Sequence, residues 1–205
     1  MLFRSDYNDV APGYFAAAEI AAREQEVSII SIEVARPDFP VADRNTFADK
    51  DLKAAAKGLY VIRDFAPGPR HGYVISQGSS STVNLVKQIP VLEKAGINVK
   101  IIAAISEELF DRQPEAYRNS VLPPDAYFDA MVISTGTRRV WPVKNLGPLT
   151  DEYSLTSDWD NQWLTSGLEK EVIEEAHLDP ASIQKGIERF AKDHDQRIAR
   201  QRRAL

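Results

Sequence analysis

The sequence predicts an α/β fold, a three-layer αβα arrangement around a mostly parallel sheet, and three observations lead there. His71 to Ser106 reads as one strand-turn-helix-turn-strand unit. Val27–Val34, Tyr73–Ser76, Val99–Ile105 and Ala126–Ser134 are nearly continuous apolar runs, which suit parallel strands covered by helices on both faces. Segments of helical period separate these runs, and a parallel pair joined through a helix is expected to cross over right-handed.

The chain has 205 residues, of which 43% are hydrophobic, enough for one ordinary domain or somewhat more. No run approaches the roughly 20 apolar residues that span a bilayer, and no charged-then-apolar leader is visible. No membrane partner is therefore expected, and a cytoplasmic location is. With no cysteine, disulfides, thiolate catalysis and zinc-thiolate sites are excluded, in keeping with a reducing cytosol. A net charge of −5 argues against nucleic acid as a partner.

In chain order, Leu2-Phe3-Arg4-Ser5 is what a common sequencing-adapter end gives on translation. Met1 to Ser5 are thus expected to be foreign and the chain to be truncated upstream. Ala11 to Gln25 is alanine-rich, and Phe15, Ala18, Ile20 and Ala22 are expected to form its buried stripe. The strand Val27–Val34 ends at Ala35-Arg36-Pro37-Asp38-Phe39-Pro40, where the prolines forbid further ladder pairing. Arg36 thereby sits at the carboxyl end of a parallel strand, where open α/β sheets bind ligands; a local salt bridge to Asp38 is the other reading. Asp49 to Lys57 suits a short helix ended by Gly58, and Leu59 to Arg63 suits a strand. The Pro67-Gly68-Pro69 turn then marks a domain boundary.

In the central unit, Ser79 to Ser81 offer hydroxyl caps, and Val83, Val86, Ile89 and Leu92 recur at helical spacing up to Gly96. Ser106 to Val121 reads as polar helical turns stopped by Leu122-Pro123-Pro124, and Thr135-Gly136-Thr137 closes the next strand. Trp141, Trp159 and Trp163 are expected to be core or interface anchors. Gly167 to Ala176 is a helix, and Asp179-Pro180 caps a last one with Ile183, Ile187, Phe190 and Ala191 as its apolar stripe. Its basic end, Arg197 to Arg203, reads as a solvated helix terminus.

Few constellations carry chemistry. His71, His177 and His194 are scattered and lack metal-ligand spacing. Gln77-Gly78-Ser79-Ser80-Ser81 could present amides to an anion but lacks the further glycines of a dinucleotide fingerprint or P-loop; a tight turn with a serine cap is favoured. Glu107, Glu108 and Asp111 read as a solvated helical face.

Three stretches resemble the C-terminal part of a transketolase-like, thiamine-diphosphate-dependent enzyme. Ala56-Lys57-Gly58-Leu59-Tyr60-Val61-Ile62-Arg63-Asp64 is similar to that family's KGAYVL linker, and the central unit is similar to its ATGSEV strand, helix and GIKVRVVSMPS strand. Most specific are Glu108-Leu109-Phe110-Asp111-Arg112-Gln113 and Tyr117-Arg118-Asn119-Ser120-Val121-Leu122-Pro123, which resemble LF-x-x-Q-x-x-x-YR-x-SVLP. The resemblance implies that residues 6–69 are the tail of a pyrimidine-binding α/β domain and residues 70–205 the C-terminal domain. It implies transfer of a two-carbon ketol group between phosphorylated sugars, with thiamine diphosphate and magnesium held mostly by residues outside this chain. A homodimer, or a missing N-terminal part or subunit, is implied as partner, and the chain alone is expected to be inactive.

Two substrate-binding positions follow from the resemblance. Arg36 matches the arginine of the family's S-R-Q-N strand end, which holds the sugar phosphate, and Asp6 matches the first residue of its D-x-N-E. The chain departs from the family at Ala35-Arg36-Pro37-Asp38, at Pro90, which is expected to interrupt a helix, and from Val140 to Ser166, where a glycine-rich run is missing. A 2-oxo-acid dehydrogenase first component, a deoxyxylulose-phosphate synthase and a non-catalytic dimerisation or docking domain are the alternatives.

Overall fold

Apolar runs of period-free hydrophobicity can bury both faces only inside a layered structure, and the computed structural model, which describes residues 1–24, 29–34 and 38–204, shows that arrangement. Strands β3 (Leu59–Arg63), β4 (Tyr73–Gln77), β5 (Lys100–Ala104), β6 (Ala130–Ser134) and β7 (Leu155–Thr156) form one sheet in the order β3-β5-β4-β6-β7. All neighbours pair parallel except β3, which runs antiparallel to β5. The expected α/β class with a mostly parallel sheet is what the chain adopts. Every residue of β4, β5 and β6 is buried.

Alternate side chains feed two cores. Val74, Ile101, Ala103, Met131 and Ile133 face one layer, built largely from helices α1 (Val10–Glu24), α2 (Ser79–Lys94) and, later in the chain, Pro180–Lys192. Ile75, Ile102, Ala104 and Val132 face the other, where Phe110, Val121, Leu122 and Ala126 pack. Those last side chains come from α3 (Glu107–Asp111), α4 (Glu115–Val121) and the turns that follow. Each fully buried aliphatic side chain contributes on the order of 1.5–3 kcal/mol.

The helix starts follow local chemistry, with exceptions. Gly78, at φ 91°, opens α2 without a side-chain cap. Ser81 instead donates back to the Gln77 and Gly78 carbonyls, so the expected serine capping of α2 is corrected. Pro90 does not interrupt α2: it lies on the exposed face, where water can satisfy the carbonyl its missing N–H would have paired. Gly96 closes the helix at φ 70°, as the left-handed position requires. The remaining helices are α5 (Thr150–Tyr153), α6 (Glu169–Glu175), α7 (Pro180–Lys192) and α8 (His194–Ala204). Asp179 caps α7 by accepting from Ala181 and Ser182 N–H at 2.9 and 3.1 Å, and Ile183, Ile187, Phe190 and Ala191 are its buried face.

Other expectations are revised. Leu2–Phe3 form β1, which pairs parallel with β2 (Ile32–Glu33), and Phe3 N–H donates to the Ile105 carbonyl at 2.7 Å. Leu2, Arg4 and Ser5 are buried, so the stretch expected to be foreign packs against the rest of the chain. In α1 the phase of the stripe shifts: Gly13, Ala16, Ala17 and Ile20 face the core, while Phe15 is 68% exposed. The expected helix at 49–57 contracts to a 3-10 turn at Ala54–Lys57. Gly58 must be glycine there: its φ is 88°, and a Cβ would lie 2.3 Å from the Ser106 carbonyl oxygen. Of the tryptophans, Trp141 packs on the second core, Trp159 is half exposed against His177, and Trp163 is 99% exposed. β3, which precedes residue 69, lies in the same sheet as the strands that follow it.

The basic end is a solvated terminus only in part: Arg200, Arg202 and Arg203 are exposed, but Arg197 is not. A break at Asp193 separates α7 from α8, and Arg197 is 1% exposed. Its guanidinium donates to Asp129 Oδ1 at 2.5 Å, to the His71 carbonyl at 3.2 Å and to the Phe190 carbonyl. It also stacks on the Phe190 ring at 3.5 Å. Arg200 adds a pair of bonds to Glu152 at 3.1 and 2.8 Å. Helix α8 is thereby fastened across the amino edge of the sheet. Among the described residues no helix is long and apolar enough to cross a membrane.

Candidate functional site

The carboxyl ends of β4, β5 and β6 point to one edge, and the short β1–β2 pair lies against it. Ser79 Oγ donates to the Arg4 carbonyl at 3.2 Å, joining the start of α2 to the small sheet. Two clefts open there. The larger, about 780 Å³, is lined by Glu33, Val34 and Phe39 on one side and by Gly78 to Ser80 and Thr135 to Thr137 on the other. The second, about 510 Å³, lies under the 138–146 segment; Phe3 and Val140 line both. The first three backbone N–H groups of α2 have no partner within a helix, so the larger cleft has a partial positive charge on its wall.

Arg36 lies outside the described residues. Its neighbours in sequence, Val34 and Phe39, line the larger cleft. Asp6 is 2% exposed and caps the turn Tyr7–Asp9: its Oδ1 accepts from Asn8 N–H at 2.7 Å and its Oδ2 from Ala42 N–H at 3.3 Å. Asp6 borders a small cleft of about 130 Å³ with Val41, Phe47 and Lys87, distinct from the large one.

Behind Asp6 lies a buried polar network that sequence reasoning missed. Asp9 accepts from Ser5 N–H at 2.7 Å and from Tyr60 Oη at 3.2 Å, and it pairs with Arg44. Arg44 is 4% exposed, and its guanidinium lies 4.3 Å from the Tyr60 ring centroid. Burial pushes the Asp9 carboxyl up, against the opposing pull of Arg44. This network fixes the entry to α1. The one available signal was the capping pattern Asp6-x-x-Asp9, with an acid returning to the N-cap amide.

The histidines divide. His71 and His194 come together, with ring centroids 6.2 Å apart, and His194 Nε2 is 3.3 Å from Asp129. His71 Nδ1 accepts from Asn98 N–H at 2.9 Å. This group sits at the amino edge beside Arg197, away from both large clefts, and it fastens α8. Among the described residues no group of three or more His, Asp or Glu side chains could hold a metal ion.

Residues 58–147 match the family model of the transketolase-like TK C-terminal domain. The transketolase of Aquifex aeolicus is 34% identical over 95 residues, 46% of this chain and 13% of that protein. The chloroplastic transketolase of Craterostigma plantagineum is 28% identical over 123 residues, 60% of this chain and 22% of that protein. A crystal structure of a single-site transketolase variant from Pichia stipitis superposes with a TM-score of 0.68 at 18% identity, covering 95% of this chain and 25% of the other. At that identity the likeness is one of fold. The chain thus spans about a fifth or less of the length of these curated relatives.

Proposed function

We propose, from a chain whose residues 58–147 carry the transketolase-like C-terminal domain, that the intact protein transfers a two-carbon ketol unit between phosphorylated sugars. The observation that carries this reading is the match itself, which spans β3 to the segment beyond β6 and is shared with relatives named transketolase. Those relatives favour it over the 2-oxo-acid dehydrogenase and deoxyxylulose-phosphate synthase alternatives. Thiamine diphosphate supplies the carbanion chemistry when bound, and its magnesium and diphosphate ligands belong to sequence outside this chain or to a partner subunit. We place the change of domain before Leu59, because β3 pairs with β5. The second domain would pack the homodimer or a separate cofactor-binding subunit.

Within this reading Arg36 grips the sugar phosphate, since a guanidinium binds a phosphate through two parallel hydrogen bonds. The positions of Val34 and Phe39 on the large cleft support it. Asp6 acts on the substrate indirectly, by holding the turn that starts α1. In the full-length protein, Arg36→Ala is expected to raise the KM for the phosphorylated sugar by about 10-fold or more, the loss of a charged hydrogen bond. Unchanged kinetics would remove Arg36 from the site. Should no diphosphate-and-magnesium motif accompany this segment in the same protein or a partner, the transferase reading itself fails.

A further inference from the structure

The cleft of about 510 Å³ under residues 138–146 has no part in the roles above. It opens where the connections of the sheet part: β4 leads through α2 to β5 on one side, while β6 leads to β7 on the other. Open α/β sheets bind ligands at such switch points, outside the carboxyl ends of the strands. Gln77 and Ser134, the last residues of β4 and β6, meet there.

Three donors without acceptors line this cleft. Gln77 is 1% exposed, and its Oε1 accepts from Ser134 Oγ at 2.6 Å. Ser134 Oγ in turn accepts from Gly136 N–H at 2.9 Å. With the Ser134 proton on Oε1, the carboxamide Nε2 makes no hydrogen bond to the described residues. The indole Nε1 of Trp141 is buried with no acceptor. Arg139 is exposed and makes no ion pair among the described residues. Native structures seldom leave buried donors unmatched, so the Trp141 indole N–H points to a missing acceptor.

The other charges around the cleft are committed. Glu107 pairs with Lys144 Nζ at 3.4 Å and accepts from Lys144 N–H at 2.6 Å. Glu108 accepts from Ser106 Oγ at 2.8 Å. Arg138 is held by Asp151 at 3.6 Å and Asp158 at 3.8 Å. What is left over is one guanidinium and two neutral donors.

We infer that this cleft binds a phosphate group, free or as the monoester of a small molecule, through Gln77 Nε2, Trp141 Nε1 and the Arg139 guanidinium. A tetrahedral dianion presents acceptors in several directions, which suits donors arriving from a strand end, a turn and the segment after it. The assignment does not rest on the transferase reading.

The test is calorimetric titration of the 205-residue chain with inorganic phosphate and, separately, with glycerol 3-phosphate, while the Trp141 indole N–H is followed by NMR. Saturable one-site binding is expected, with a shift of that resonance and about a tenfold or greater loss of affinity in both Arg139→Gln and Trp141→Phe. Arg139 is exposed, so its variant folds and isolates binding. Tighter binding of the monoester identifies a phosphorylated small molecule, and equal binding identifies free phosphate; either supports the site. Absence of saturable binding, equal affinity for acetate, or unchanged affinity in Arg139→Gln would overturn it.

Discussion

The two edges of the central sheet use polar residues in opposite ways. At the amino edge, Arg197 reaches Asp129 and two main-chain carbonyls, His194 reaches Asp129, and Arg200 clamps Glu152. At the carboxyl edge, the Gln77 amide N–H, the Trp141 indole N–H and the Arg139 guanidinium line the cleft of about 510 Å³ and find no acceptor among the described residues. A cleft at the amino edge, about 370 Å³, is bordered by Asp129 and His194. One edge has committed its polar groups to fixing a helix, and the other keeps them available. Recognition at a rigid edge requires that contrast, since a group already paired within the fold has little to offer a ligand.

The contrast is sharpest at Arg197. Arg197→Ala leaves the Asp129 carboxylate, 14% exposed, without its principal partner, and removing one member of a buried pair costs roughly 3–5 kcal/mol. Urea denaturation should show that loss, with the C-terminal helix becoming protease-sensitive; a loss below about 1 kcal/mol would mean the amino edge is not fastened this way.

Acid should weaken the same edge. Burial holds the His71 ring below its ordinary value of 6.5, helped by His194 and Arg197 and opposed by Asp195 and Asp129. Its Nδ1 also serves as an acceptor for Asn98 N–H, which protonation would abolish. The unfolded chain then takes up more protons than the folded one below pH 6.5, so stability is full above that value and falls as pH drops through it. Denaturation midpoints at pH 7.5 and 5.5 should separate, and His71→Gln should narrow the gap; an equal gap in the variant would assign the effect to other groups.

The carboxyl edge should respond least. Arg139→Gln is expected to change folding stability by less than about 0.5 kcal/mol, as for a surface position without a structural partner. A larger loss in thermal denaturation would show that this arginine is committed after all.

What was legible in the sequence was local. The strand at 73–76, which the structure extends by one residue to Gln77, the left-handed stop at Gly96 and the Asp179-Pro180 cap are each written within a few residues. Arg197 was not legible, because its partners Asp129 and His71 lie 68 and 126 positions away and a basic helix end reads as solvated from its own window. The stripe of α1 was misphased because in an alanine-rich helix small residues, not the one aromatic, allow close approach to a sheet. The site divides in the same way. Arg36 could be named from its strand-end position and its resemblance, whereas Gln77 was read as part of a turn. Only the bond from Ser134 Oγ at 2.6 Å turns its amide N–H into a candidate ligand group.

The span of 126 positions between Arg197 and His71 also bears on how the molecule assembles. Closing so long a loop has an entropic cost that must be met before the contact contributes anything. The β4–α2–β5 unit is made of near neighbours and meets no such delay. The sheet can thus form as one cooperative unit, with α8 arriving afterwards and able to detach while the strands stay paired.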